Sequence, residues 1–280
     1  MHFKHTEVDL LTAQVMGILN VTPDSFSDGG QHNTLEKALE KATQMVNAGA
    51  TFIDVGGEST RPGAPEISEQ EELDRVIPVI ERLSGTLDCV LSVDTSKAAV
   101  MREAVSAGAG LINDVRALQL PGALSAAAEA QVPVCLMHMK GEPTTMQEAP
   151  SYEDVADEVI NFLLARVDDC IQAGIAEDSI LLDPGFGFGK TLDHNYQLLA
   201  ELGRVKHLGY PLLVGMSRKS MIGALTGKPV DGRLAGSIAL ATLSAHMGAK
   251  IIRVHDVDET VDAIKIVTKI QQIKETVQGA

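Results

Sequence analysis

The chain reads as a (β/α)8 barrel, and three observations carry that reading. Short continuous apolar runs recur eight times, the pattern of parallel strands buried on both faces. Each run is followed by a polar loop and then by a stretch with apolar residues at helical spacing. The whole occupies 280 residues, the size of eight such units with modest loop insertions. A doubly wound open sheet is the alternative, because strand order is not readable from one sequence. A single barrel domain over 1–280 is expected, with 1–14 as a leader closing the barrel bottom.

The units follow in order. Residues 15–20 (VMGILN) form the first strand. After the loop VTPDSFSDGG, Asn33-Thr34 is expected to open a helix with Ala38, Leu39, Ala42, Met45 and Val46 on one face, Asn33 and Glu36 forming a capping box. The second strand is 51–55. After the long loop GGESTRPGAPEI, Ser68 and Glu71 cap a helix carrying Leu73, Val76, Ile77, Ile80 and Leu83, with a kink expected at Pro78. The third strand, 90–93, ends at Asp94 and leads to a helix over 96–105. Residues 111–112 run into Asn113-Asp114 before a short helix over 122–130. The fifth strand, 134–137, ends at His138 and precedes a long helix over 154–173. The sixth, 180–182, ends at Asp183, with a helix over 193–202. Residues 212–215 lead into Met216-Ser217-Arg218-Lys219 and a helix over 237–247. The eighth strand, 251–254, contains Arg253 and ends at His255. The last helix opens at Asp256-x-x-Glu259 and keeps Val261, Ile264, Val267, Ile270, Ile273 and Val277 on one side.

Composition narrows the function. Hydrophobic residues make up 45% of the chain, enough for a sizeable core. Lys and Arg number 23 against 38 Asp and Glu, a formal charge of −15. A duplex-binding surface needs clustered positive charge, so a nucleic-acid role is disfavoured. The three cysteines, Cys89, Cys135 and Cys170, lack metal-ligand spacing, and an odd count without a framework points to reduced thiols. The N-terminal MHFKHTEVDLL lacks the apolar core of a signal peptide. No apolar run reaches the roughly 18 residues of a membrane helix. The cytoplasm is the expected location. Serine-hydrolase, zincin and redox chemistries are unsupported, since G-x-S-x-G, H-E-x-x-H and C-x-x-C are all missing from the sequence.

The polar residues fall at one end of the strands, where such barrels build their sites. Those ends carry Asn20, the Glu58-Ser59-Thr60-Arg61 loop, Asp94, Asn113, His138, Asp183, Lys219, and Arg253 with His255. One alone would be ordinary: an Asp after a strand is more often a helix cap than a ligand, which is how Asp114 and Asp256 are read. Caps would not require amides, carboxylates and cations to converge on one rim. Asp94 and Asp183 with Asn113 beside Lys219 suit a flat heterocycle with an amidine-like N–H edge and a ring carbonyl. Arg253, His255 and Arg61 supply cations for phosphate or carboxylate groups. Asn20 is a neutral oxygen ligand of the kind Mg²⁺ uses when it keeps most of its waters and meets substrate phosphates. His138, between Met137 and Met139, is read as packed rather than catalytic.

The stretch ILLDPGFGFGKT at 180–191 ends like a phosphate loop, but Pro184 stands where the first glycine of that motif is required. Gly185, Gly187 and Gly189 are spaced by two, which rejects G-x-G-x-x-G as well. The stretch is therefore the sixth strand end, delivering Asp183 and Phe188 to the site, with Lys190 as a solvated cation.

Taken together, MGILNVTPDSFSDGG, DVGGESTRPGA, SVDTSK, IND, LMHM, LLDPGFGFGK, LLVGMSRKSMIG and IIRVHDV resemble the dihydropteroate synthase family from first strand to last. The resemblance implies a pterin-binding TIM barrel that joins p-aminobenzoate to 6-hydroxymethyl-7,8-dihydropterin diphosphate, giving dihydropteroate and diphosphate in folate synthesis with Mg²⁺. It implies that Asp94, Asn113, Asp183 and Lys219 hold the pterin, with Met137 and Arg253 on its ring faces. It implies that Asn20, Arg253 and His255 meet the diphosphate, Asn20 being the metal ligand. The segments 22–30 and 58–63 resemble loops that close over the site, and Thr60, Arg61, Pro62, Phe188, Lys219 and Ser220 match the p-aminobenzoate region. Gly215 completes the substrate-binding set, and Asp183, Lys219 and Arg253 are the candidate catalytic residues. The ordinary FSDGG and TRPGA forms imply sulfonamide sensitivity, and the resemblance implies a homodimer through the late helices. The nearest alternative is a pterin-dependent methyltransferase acting on a corrinoid protein, which the TRPG and SRKS segments disfavour.

Overall fold

The computed structural model describes residues 1–22, 31–59, 66–141, 146 and 149–278. Strands β1 (His2–Phe3) and β2 (Thr6–Glu7) form a short antiparallel hairpin. Eight parallel strands follow: β3 (Gln14–Asn20), β4 (Phe52–Gly56), β5 (Val90–Asp94), β6 (Leu111–Asp114), β7 (Val134–Met137), β8 (Ile180–Asp183), β9 (Leu213–Val214) and β10 (Ile251–Val254). They pair in chain order, and β10 returns to lie beside β3. The seam between β8 and β9 is joined by a bridge between Leu182 and Leu212, where Leu182 N–H donates to Pro211 O at 3.0 Å. This is the nearly closed (β/α)8 barrel the apolar runs predict, and the open-sheet alternative is excluded.

Around the strands lie α1 (Gln31–Asn47), α2 (Glu69–Ser84), α3 (Ala98–Ala107), α4 (Ala123–Ala130) and α5 (Val155–Gln172). They are followed by α6 (Leu192–Ala200), α7 (Leu202–Lys206), α8 (Ser220–Thr226), α9 (Leu234–Met247) and α10 (Val257–Gln278). Ser68 caps α2 as expected, its hydroxyl accepting from Glu71 N–H at 3.2 Å. Helix α1 begins at Gln31, so Asn33 stands inside its first turn instead of capping it. Helix α3 starts two residues beyond Ser96, whose hydroxyl is bonded to Asp114 across the strand ends. The expected helix over 193–202 is two pieces, α6 and α7. Helix α8 is an addition; its 7 residues, stopped by Gly227 at φ 71°, are too few to show a period.

The barrel interior explains where the site sits. Residues two apart on a strand share a face. One residue from each barrel strand (Met16, Phe52, Val90, Leu111, Cys135, Leu181, Leu213 and Ile251) joins Phe3 and Val8 in a buried apolar cluster. The Phe3 ring meets Phe52 edge-on, with centroids 5.0 Å apart. Two residues further along each strand come Ile18, Asp54, Ser92, Asn113, Met137, Asp183, Gly215 and Arg253. The inward face that is apolar at the start of the strands thus turns polar one step later. The opposite strand faces pack on the helices in a second, larger apolar cluster, which fixes the strands that carry the polar step.

Candidate active site

Asp54 is the hub of the polar step, and it was not among the residues expected from the sequence. Its side chain is fully buried in β4. Oδ1 accepts from Ser92 Oγ at 2.5 Å, and Oδ2 accepts from Asn113 Nδ2 at 3.1 Å and from Arg253 Nε at 2.6 Å. Arg253 turns its other edge to Asp94, donating from Nη2 to Oδ2 at 2.6 Å. One guanidinium therefore bridges two carboxylates from neighbouring strands, an arrangement that fixes its plane. Because Asn113 gives its amide N–H to Asp54, its carbonyl oxygen is directed away from Asp54. The sequence did carry a signal for Asp54: a charged residue in the middle of the apolar run 52–55 has to be paired when buried.

Asp183 ends β8 with 6% of its surface exposed, and its Oδ1 accepts from Gly185 N–H at 2.7 Å. Burial raises its pKa, opposed first by the charge on Lys219 and then by the Gly185 hydrogen bond, Arg253 and Lys190. Lys219, just before α8, donates to Phe186 O and places its ammonium 4.5 Å from the centre of the Phe188 ring. Phe188 packs with Val115, Met137 and Met146 in a small apolar cluster. A buried carboxylate, a lysine and an apolar wall thus converge at one rim, as the residue types suggested.

Lys190 corrects the sequence reading. It is not a solvated cation: only 3% of it is exposed, and its Nζ donates to Gly185 O at 2.8 Å and Phe188 O at 3.2 Å and bonds His138 Nδ1 at 2.9 Å. The residue follows a Gly-rich loop, where exposure is the usual expectation; here the loop folds back over it. His138 is packed, as expected, with its ring edge-on to Phe162 at 5.1 Å. Burial and Lys190 push its pKa down to about 2, so it is neutral with its proton on Nε2.

Just after β10, His255 Nδ1 pairs with Ser217 Oγ at 3.1 Å, and the same hydroxyl accepts from His255 N–H. Burial, followed by the Arg253 and Arg218 charges, lowers His255 to about 4. It is therefore a neutral donor in this state and not the cation expected from sequence. Asp256, expected to cap α10, pairs its carboxylate with Arg218, while its backbone carbonyl takes Thr260 N–H. Asp114 caps no helix, since α4 begins after Gly122; it closes the turn after β6 instead, accepting from Arg116 N–H at 2.8 Å and Leu118 N–H at 2.7 Å. Asn20 ends β3 half-buried; Ser220 opens α8 and is exposed. A Cβ on Gly215 would stand 3.5 Å from Arg253 Cβ, so a larger side chain there would press on that arginine. Thr60, Arg61 and Pro62, and most of the segments 22–30 and 58–63, lie outside the described residues. Just before them, Lys97 Nζ bridges Glu58 Oε2 at 2.7 Å and Glu72 Oε2 at 2.6 Å.

Three of these groups titrate near neutrality: burial lowers Lys190 to about 7 against the charge of Asp183, and Asp94 and Lys219 join it. Burial pushes Asp94 up to about 7 against the pull of Arg253, and burial lowers Lys219 to about 8 against Asp183. Asp94 is ionised above its value and Lys219 charged below its own. The expected kcat/KM profile is a bell with its maximum between the two, falling below about 7 and above about 8. Lys219→Arg should remove the alkaline limb; a profile flat from pH 6 to 9, on the order of the range these groups span, contradicts the assignment.

The relatives match this fold. The family model described as pterin binding enzyme covers residues 16–255. The dihydropteroate synthase of Escherichia coli K12 is 59% identical over 270 residues, covering 96% of each chain. The chain belongs to the dihydropteroate synthase family. Two solved structures of that family superpose on it. The Yersinia pestis dihydropteroate synthase in a sulfonamide drug complex has a TM-score of 0.93 and 58% identity, over 97% of this chain and 99% of the other. The Xanthomonas albilineans dihydropteroate synthase with 4-aminobenzoic acid has a TM-score of 0.88 and 53% identity, over 94% of each. The match runs through every element that carries the polar step, from Asp54 in β4 to Arg253 in β10.

Proposed function

We propose that the chain condenses 6-hydroxymethyl-7,8-dihydropterin diphosphate with p-aminobenzoate, giving 7,8-dihydropteroate and diphosphate. The observation that carries the reading is the convergence of Asp94, Asn113, Asp183 and Lys219 beside Arg253 in a chain belonging to this family. The pterin edge with its N–H groups is read as facing Asp183, Asp94 and the Asn113 carbonyl, and its ring carbonyl or ring nitrogen as facing Lys219. Met137 and Arg253 are read as lying on its ring faces. The arylamine is neutral at pH 7 and needs no strong base. Its nitrogen bonds to the pterin methylene carbon while the carbon–oxygen bond to diphosphate breaks; the electron pair leaves with diphosphate, and the new C–N centre loses a proton. Asp183 and Asp94 stabilise the positive charge that develops on the dihydropterin ring, and Arg253 with the His255 Nε2–H supports the departing diphosphate.

Mg²⁺ fits the donors at the phosphate end. Among the described residues no group of three His, Cys, Asp or Glu could cage a metal. A single amide oxygen from Asn20 suits an ion that takes its other ligands from water and phosphate. When bound, Mg²⁺ would neutralise charge on the leaving group. Thr60, Arg61, Pro62, Phe188, Lys219 and Ser220 are read as the p-aminobenzoate side. The whole of 1–280 is read as one barrel domain, with 1–14 closing its bottom, as the Phe3 contact with Phe52 supports. No described helix is long and apolar enough to cross a membrane, and a cytoplasmic setting is the reading adopted.

A homodimer is the proposed assembly. Leu225 on α8, Leu243 on α9, and Ile266, Ile270 and Ile273 on α10 are 44–62% exposed, an apolar surface that a second copy would cover. Light scattering should give twice the 29.7 kDa chain mass; a monomer mass sinks this part.

The function is tested by mixing both substrates with Mg²⁺ and following dihydropteroate and diphosphate. Equal yields of the two are expected, with a sulfonamide competing against p-aminobenzoate and not against the pterin. Diphosphate release that ignores p-aminobenzoate, or no product at all, would overturn the reading.

A further inference from the structure

We infer that Lys190 is a positioning residue for the p-aminobenzoate side of the site: it acts from behind Phe188 by locking the loop that carries it. The inference rests on the function proposed above. Residues 184–191 join β8 to α6 and carry three glycines with φ of 70°, 82° and 62°. The loop lies hard against the segment after β7. A Cβ on Gly185 would sit 1.8 Å from His138 O, and one on Gly189 2.2 Å from Lys140 O. Close approach demands glycine, yet three glycines also free the backbone to pivot. Some other group has to hold the shape.

Lys190 has the geometry for that. An ammonium offers three donors, and each meets an acceptor: Gly185 O at one end of the loop, Phe188 O at the other, and His138 Nδ1 on the neighbouring segment. Phe188 N–H closes the same turn onto Gly185 O at 3.2 Å. Asn195 of α6 braces the middle: its Oδ1 accepts from Gly187 N–H at 2.6 Å, and its amide donates to Lys190 O at 3.3 Å. In front of the loop, Lys219 Nζ lies over the Phe188 ring. Lys190 holds the loop through its backbone at Gly185 and Phe188, and Lys219 holds Phe186 O and lies over the Phe188 ring, so both lysines fix one platform. None of the Lys190 hydrogen bonds reaches Asp54, Asp94, Asn113, Asp183 or Arg253, and its bearing on the pterin side is the charge it exerts on Asp183. A defect at Lys190 should therefore be felt by the second substrate more than by the pterin.

The test is Lys190→Met, which keeps nearly the length of the side chain and removes the donors; Gly185 O, Phe188 O and His138 Nδ1 lose that partner, so a lower Tm is expected alongside. The expected result is a p-aminobenzoate KM raised about 10- to 100-fold, the scale of a small misplacement in a site. The pterin KM and calorimetric pterin affinity should shift at least about fivefold less than the p-aminobenzoate KM, the signature of a loss felt mainly by one substrate; the smaller pterin shift reflects the Lys190 charge on Asp183. If Lys190→Met does not fold, Asn195→Ala decides, with the same split expected. A p-aminobenzoate KM that does not move, or an equal rise for both substrates, overturns the inference. Wild-type condensation measured alongside separates this from the function itself: if the wild type makes no dihydropteroate, it is that reading that fails.

Discussion

Asp183→Ala is expected to lower kcat/KM for condensation on the order of 10³-fold, the scale of removing one preorganised electrostatic group from a site. Asp183 is buried, its Oδ1 holds Gly185 N–H, and the charges of Lys219, Arg253 and Lys190 act on it. The fold should survive. The chief structural loss is one hydrogen bond, about 1 kcal/mol, which lowers Tm by roughly 2–4 °C in a domain of this size class. Asp183→Asn keeps an acceptor for Gly185 N–H and removes only the charge, so it isolates the electrostatic part. Steady-state kinetics with a thermal melt on both variants decides. Turnover by Asp183→Ala within about threefold of wild type would show that the carboxylate makes no transition-state contribution.

The second large effect is expected at Asp54. Asp54→Ala removes the partner of Arg253 Nε, frees the Asn113 amide to rotate, and strands Ser92 in the interior. Removing one member of a buried ion pair costs about 3–5 kcal/mol, so a clear fall in Tm should accompany it. Activity should drop about 10²-fold through misplacement of Arg253 and Asn113. Asp54→Asn, which still offers oxygen to Arg253, should recover part of both. The split between substrates separates positioning from general destabilisation: pterin KM should rise and p-aminobenzoate KM should hold. A variant with unchanged pterin KM and unchanged Tm would remove Asp54 from the site.

How much of this was legible in the sequence follows from local and nonlocal physics. The barrel was legible because each strand is a continuous apolar run and each long helix shows its period, and because the site end of the strands is marked by polar residues such as Asp94, Asn113 and Asp183. Short elements were not: α8 is set by tertiary contacts and a Gly227 stop, with too few turns to show periodicity. Asp54 was hidden because its role depends on Ser92, Asn113 and Arg253, which lie 38, 59 and 199 residues away in sequence. Lys190 was misread because a lysine after glycines is ordinarily solvated. Its burial comes from a loop folding back onto the segment after β7, which no spacing rule encodes. His255 was taken as a cation because what discharges it, burial first and then Arg253 and Arg218, depends on tertiary packing.

The central claim is that the carboxylate ending the sixth barrel strand anchors the pterin. It is tested most directly by calorimetric titration of the dihydropterin diphosphate, in Mg²⁺, into the wild-type protein and into Asp183→Ala. The account predicts one site per wild-type chain and a Kd at least about 100-fold weaker in the variant, the loss of about 2.7 kcal/mol of binding energy. Equal affinity in the two proteins would contradict it.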